Sequence, residues 1–523
     1  MCAALVVLAL TLSASATLLA SAAHAAQDDA AQPFATTWSV GMHDASIIAR
    51  DLERLVDHGG SERAPDRVAA DGTEPTHLVW VGLTDKGIHS DTQFRAALRA
   101  AENALSDASR ARRLRAGGPW IVDYLDIPVP ERYVAAIAAT GATVRVASRW
   151  LAAVSVEATA AELHAITELP FVARLTPVAR GKRREPLDPA GAAPQTPPAI
   201  PGAGASNVLP LDYGPSLQQL EQIQVTDMHA LGYTGAGVIV CMLDTGYFKD
   251  HEAFATIQSS GRLLAEWDFI NDDGNTQNEP GDSSTQHNHG TLTWSTLGGE
   301  KDGELYGPAY GATFVIGKTE DVTDEYPLEE DFFVAGLEWA DGLGAQVVSS
   351  SLGYTDWYTY EDMDGQTAVT TNGCDIAASR NILVCTAAGN EGSGSWYYMI
   401  APADGDSVVA VGAVDSGGDL AWFSSHGPTY DGRTKPEVCA RGIDTWCATP
   451  GLGGNDYTGA NGTSLSTPLV GGVAALLMEA RPAWSAMQVR EAMMMTADNA
   501  SAPDNDYGWG VVQTLDAMNY GSV

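Results

Sequence analysis

The sequence predicts an α/β protein in which a parallel sheet with helices on both faces is preceded by a small α+β domain. From about Tyr213 onward, apolar strand-like runs alternate with helical stretches, the pattern of parallel strands joined by crossover helices. Between Thr76 and Arg180 a second, shorter alternation of strands and helices suggests an antiparallel sheet with helices to one side. Between these parts, residues 181–206 hold six prolines and almost no large apolar side chain, which marks an exposed linker. At 523 residues the chain has room for two or three domains.

Residues 1–25 form an Ala/Leu/Val-rich run ending in Ala23-His-Ala25. That ending fits the small-x-small rule of a secretory signal, although no Lys or Arg precedes the run. The expected destination is secreted or extracellular, with the periplasm as the alternative. No later apolar run is expected to cross a bilayer. Residues 26–75 lack a firm period and receive no fold. In residues 76–180, strands are expected at His77–Gly82, Val144–Ala147, Ala152–Val156 and Phe171–Val178, and helices at Thr92–Leu105 and Thr159–Ile166. Thr159-Ala-Ala-Glu162 has capping-box spacing, a mark of a helix start. Lys182-Arg-Arg184 in the linker is expected to be an accessible processing site or a solvated patch.

In residues 207–523 the expected strands are Val238–Leu243, Thr313–Lys318, Gln346–Ser351, Ile382–Ala387 and Val408–Val414. The expected helices are Gly290–Leu297, Asp331–Leu343, Gln366–Arg380, Ser464–Glu479 and Ala486–Thr496. Catalytic groups in such sheets belong at the carboxyl ends of strands and at the helix starts beyond them.

The formal charge of -37 is concentrated in residues 207–523, which carry 44 acidic and 10 basic side chains. Nucleic-acid binding needs a basic footprint and is disfavoured there. Surface solvation is the first explanation, and acidic loops such as Asp321–Glu325 are candidates for structural calcium. Without Cys2 five cysteines remain, an odd number. Cys241 and Cys385 lie in apolar runs and are expected as buried thiols, while a Cys439–Cys447 bridge is open but not favoured.

Asn461-Gly-Thr-Ser-Leu-Ser-Thr-Pro468 runs into the apolar stretch Leu469–Met478, which places Ser464 at or just inside the N-terminus of a buried helix. There its hydroxyl is held rigidly beside backbone N–H groups and the positive end of the helix dipole. Pro468 is expected in the first turn. Asp244 ends the strand Val238–Leu243, and His289 sits at a helix start in His287-Asn-His-Gly-Thr291. Two histidines at that spacing without a third ligand cluster argue against a metal. Taken singly, Ser464 would pass for a helix cap and Asp244 for a turn residue or helix cap. Together, a carboxylate, an imidazole and a hydroxyl are what an acyl-transfer hydrolase needs.

Asp244-Thr-Gly246, His289-Gly-Thr291 and Gly462-Thr-Ser-Leu-Ser-Thr-Pro468 resemble the three signature segments of the subtilisin-like serine peptidases, in the same order. The resemblance runs from about Tyr213 to Asp516 and includes Phe423–Pro428, Lys435–Glu437 and Tyr507–Gly510. It implies a subtilisin-like fold and a secreted serine endopeptidase acting on protein or peptide substrates through Asp244, His289 and Ser464. It further implies that Asn390 is an oxyanion donor and that Ser351, Leu352, Gly353, Ala387, Ala388 and Gly389 bind substrate. No cofactor is expected to be required, and structural calcium is possible. The small residues of the two substrate segments suggest an open pocket for an apolar or aromatic side chain. The ferredoxin-like domain at residues 76–180 is then expected to be an inhibitory propeptide, with the signal before it and no membrane span after signal removal. Two other readings are a serine-carboxyl peptidase, disfavoured by an imidazole where an acid would stand, and an inactive binding scaffold.

Overall fold

The computed structural model describes residues 48, 51–52, 74–118, 120–178, 180–181, 211–322, 328–355, 358–451 and 453–521. The expected signal, most of residues 26–75, nearly all of the linker with Lys182-Arg-Arg184, and residues 323–325 of the acidic loop lie outside the described residues.

In the small domain, β1 (Thr76–Leu83) alternates its side chains between two apolar clusters, as a strand's period of two requires. Val79, Val81 and Leu83 join the domain's own core with Ile137, Leu163 and Ile166. Leu78 and Trp80 face the other way, where Val369 of the large domain packs. There follow α1 (Asp91–Ala104), α2 (Asp107–Arg115), α3 (Glu131–Ala138), β2 (Thr143–Ser148), β3 (Ala153–Thr159), α4 (Ala160–Thr167) and β4 (Val172–Pro177). The sheet is antiparallel in the order β2-β3-β1-β4, the ferredoxin-like arrangement. The expected capping box starts α4, with Thr159 and Glu162 bonding each other's backbone N–H. Helices α2 and α3 were not foreseen from the sequence.

The large domain is built on β5 (Ile239–Asp244), β6 (Leu263–Asp268), β7 (Thr313–Lys318), β8 (Val347–Ser350), β9 (Leu383–Ala387), β10 (Val409–Val414) and β11 (Val438–Arg441). These form one seven-stranded sheet in the order β11-β10-β9-β8-β5-β7-β6, and its paired strands are parallel. The longer helices are α5 (Asn288–Gly298), α6 (Glu330–Leu343), α7 (Val369–Ser379), α8 (Thr463–Ala480) and α9 (Ala486–Thr496). On one face, α5, α8 and α9 pack with the sheet into the larger core. On the other, α6 and α7 cover Cys241, Leu243, Val348 and Val384.

Two expectations are corrected. By length and apolar content α8 would pass for a membrane span, against the expectation that no such run follows the signal. Sixteen of its residues are buried, because it lies against the sheet as core. Pro468 is the sixth residue of α8 and lies in its second turn, not the first. Cys439 and Cys447 are free and buried, as are Cys241, Cys374 and Cys385. Burial pushes all five thiols up.

Candidate active site

The carboxyl ends of β5, β8 and β9 and the N-termini of α5 and α8 meet at one edge of the sheet. Asp244 is the last residue of β5 and is buried. Its Oδ1 accepts from Thr245 N at 2.7 Å and pairs with His289 Nδ1 at 2.6 Å, while Oδ2 accepts from Thr293 Oγ1 at 2.9 Å. A carboxylate so oriented holds the proton on Nδ1, which leaves Nε2 as the free base. His289 and Thr293 are four residues apart on α5, so one helix face presents both to Asp244. The approach of α5 to the Asp244 loop depends on Gly290. A methyl group built there would lie 2.1 Å from Gly246 O.

The segment before α5 is tied in as well. Gln286 Nε2 donates to Thr245 O at 2.6 Å, and Gln286 Oε1 accepts from Val322 N at 2.9 Å. Lys318, at the end of β7 and paired in register with Asp244, is buried. Its Nζ lies 2.8 Å from Asp268 Oδ2 and 2.8 Å from Asp282 Oδ2. Burial pulls Lys318 down, but its hydrogen bonds to the two carboxylates outweigh burial and hold its pKa above the ordinary value. Lys318 thereby binds β6 to the loop that delivers His289. Asp268, Asp273 and Glu279 bring their oxygens within 4.8 Å of one another, an all-oxygen donor set of the kind calcium takes. Lys318 already supplies a positive charge to this group.

Ser464 is the second residue of α8, as His289 is of α5. Gly462, immediately before the helix, has φ of 142°, a left-handed value suited to glycine. Pro468 has no N–H to bond the carbonyl of Ser464 four residues earlier, and that carbonyl instead accepts from Ser351 Oγ at 2.8 Å. Ser464 Oγ in turn donates to Ser351 O at 3.4 Å. The break in the helix ladder thus fixes the Ser351 segment to the Ser464 turn. Asn390 Oδ1 accepts from Thr463 N at 2.9 Å and from Thr463 Oγ1 at 3.0 Å. With its oxygen committed, the amide turns Nδ2 toward Gly462, where a methyl group would lie 3.6 Å away.

Asp244 and His289 are therefore bonded, and Asn390, Ser351 and Ser464 form one connected group. Helices α5 and α8 pack together, with Leu465 against Leu292. The Ser464 hydroxyl is directed at Ser351 O in this state. Ala387, Ala388 and Leu352 are buried, and Gly353 and Gly389 flank a common space. Thr293, Gln286 and Lys318 were missed from the sequence. Thr293 was within reach of it, since it stands one helical turn after His289.

The small domain docks on α6 and α7. Trp150 is buried among Phe333, Leu337 and Ala340. Arg112 and Arg113 pair with Asp341, the latter at 2.6 Å, and Arg149 reaches the same carboxylate at 2.9 Å. Arg145 meets Asp331 at 2.9 Å, and Arg380 meets Asp123 at 2.5 Å. Beyond β4, Arg180–Gly181 pairs antiparallel with Leu328–Glu329 of the large domain.

Residues 235–510 match the Subtilase family (Peptidase S8), and residues 78–188 match the Peptidase S8 propeptide domain of Bacteroidota. Subtilisin DY of Bacillus licheniformis is 34% identical over 293 residues, covering 55% of this chain and 91% of that protein. Subtilisin Savinase of Lederbergia lenta is 30% identical over 296 residues, covering 56% of this chain and 95% of that protein. In fold the chain is similar to fervidolysin from Fervidobacterium pennivorans, described as a keratinolytic enzyme related to subtilisin, with a TM-score of 0.58 at 22% identity. That likeness covers 86% of this chain and 62% of fervidolysin. The chain belongs to the subtilase family, and it is a serine-type endopeptidase with a propeptide.

Proposed function

We propose that this endopeptidase cleaves peptide bonds through an acyl-enzyme on Ser464, with His289 as general base, Asp244 orienting the imidazole and Asn390 binding the oxyanion. Rotation of the Ser464 hydroxyl away from Ser351 O toward His289 Nε2 would give the imidazole its proton. The oxygen then attacks the substrate carbonyl, and the imidazolium returns the proton to the leaving amine. Asn390 Nδ2 and the Ser464 N–H would meet the carbonyl oxygen as it becomes an alkoxide. The observation that carries this reading is the 2.6 Å bond between Asp244 Oδ1 and His289 Nδ1 beside the α8 start that bears Ser464.

The chain is made, on this reading, as an exported proenzyme. The small domain covers α6 and α7 and lays Arg180–Gly181 as an added strand on the large domain, and in this role it keeps substrate out until it is removed. Cleavage by the enzyme itself in residues 181–206 then cuts the covalent link, and the acidic domain is free once the small domain dissociates. The experiment is to purify wild type and Ser464→Ala and compare propeptide processing and casein hydrolysis. The variant is expected to stay full length and inert; unchanged processing and hydrolysis would contradict the assignment.

A further inference from the structure

A substrate whose carbonyl carbon is attacked by Ser464 must place the side chain of the acyl residue in the space beside that serine. Two segments border the space. Ser351–Gly353 is joined to Ser464 by the two hydrogen bonds at 2.8 and 3.4 Å. Ala387–Gly389 runs directly into Asn390. Glycines on both borders would leave a wide slot between them, and on that ground the sequence suggests a pocket for an apolar or aromatic side chain.

The slot is filled by Ile400. A methyl group built on Gly353 would lie 2.1 Å from Ile400 Cδ1 and 2.5 Å from its Cγ1. One built on Gly389 would lie 3.2 Å from the same Cγ1 and 3.3 Å from the same Cδ1. One arm of the isoleucine therefore touches both walls at once. Its backbone is fastened to both as well. Ile400 N donates to Ala388 O at 3.2 Å, and the next carbonyl, Ala401 O, accepts from Tyr354 N at 2.9 Å. A β-branched side chain on a backbone held from two sides has little rotamer freedom to swing aside, and forcing extra atoms into a packed site is itself costly.

We propose that Ile400 is the specificity-determining residue of this cleft and restricts the acyl-side residue to small side chains such as Gly, Ala and Ser. The proposal rests on the peptidase reading above and concerns the same site. It replaces the aromatic preference that the glycines alone suggest.

The test compares kcat/KM for two peptide anilides that differ only in Ala or Phe at the acyl position. Wild type, Ile400→Ala and Ile400→Gly are produced from the full chain, and active sites are counted with a fluorophosphonate. Wild type is expected to favour Ala by at least about 10-fold, and Ile400→Gly to raise the Phe/Ala ratio by about 10- to 100-fold, with Ile400→Ala between them. Wild-type cleavage of a denatured protein supplies a readout that needs no variant, and cuts after small residues are expected. A wild type that prefers Phe, cuts mainly after large apolar residues, or a Gly variant with an unchanged ratio and normal active-site counts overturns the proposal while leaving the peptidase reading standing. Failure of the fluorophosphonate to label Ser464 in wild type overturns both.

Discussion

At the scale of single residues, the site depends on groups that hold other groups in place. Thr293 Oγ1 donates to Asp244 Oδ2, and a hydrogen bond to a buried charge is worth about 1.5–3 kcal/mol. Thr293→Val keeps the shape and removes that donor, so the Asp244 carboxylate loses part of its orientation. The expected result is a fall in kcat of about 10- to 100-fold with little change in KM, since substrate contacts are untouched. Steady-state kinetics on a small anilide checks it. The placement of Asp244, His289 and Ser464 was the most legible part of the sequence, because each sits at a strand end or helix start. What stayed hidden needed knowledge of which strands adjoin. Lys318 looks like an ordinary strand end until β7 is set beside β5 and β6, and Ile400 lies in a segment with no strand or helix of its own.

At the scale of elements, the seam between α5 and the Asp244 loop admits no side chain at Gly290. A Cβ there would collide with Gly246 O, a backbone atom that cannot rotate away. Gly290→Ala is therefore expected to push His289 off Asp244 and reduce kcat/KM by about 100-fold or more, since an ångström of misplacement carries that penalty. A crystal structure of the variant with the 2.6 Å bond intact and full activity would refute it. Elements with apolar stripes were legible, and α9 and β7 were placed to the residue. Two of those missed lacked the stripe. β6 is an edge strand with only Asp268 fully buried. Helix α2 buries Ser109, Arg112 and Arg113 rather than apolar side chains, so hydrophobic periodicity could not reveal it; its partner is a carboxylate on another domain.

At the scale of the whole molecule, charge divides along the domain boundary. Residues 76–180 carry 12 basic and 10 acidic side chains, against the strong acidity of residues 207–523. Asp341 is where the two meet. Burial alone would raise its pKa, but Arg112, Arg113 and Arg149 outweigh burial and hold it below the ordinary 3.8. A carboxyl whose pKa is depressed by docking contributes fully above that ordinary value and loses its contribution as pH falls through the docked value. The cleaved propeptide is thus expected to stay bound at neutral pH and to be released progressively below about pH 4. Asp341→Asn should weaken docking at pH 7 and flatten the acid dependence. Gel filtration of the processed Ser464-competent enzyme across pH checks both.

The central claim is that the Asp244–His289 pair activates the hydroxyl of Ser464. Fluorophosphonate labelling of wild type and His289→Ala, mapped by peptide mass spectrometry, addresses it without a substrate. A single adduct on Ser464 is expected in wild type, with at least about 10³-fold slower labelling in the variant. Labelling at another residue, or at an equal rate without His289, would contradict it.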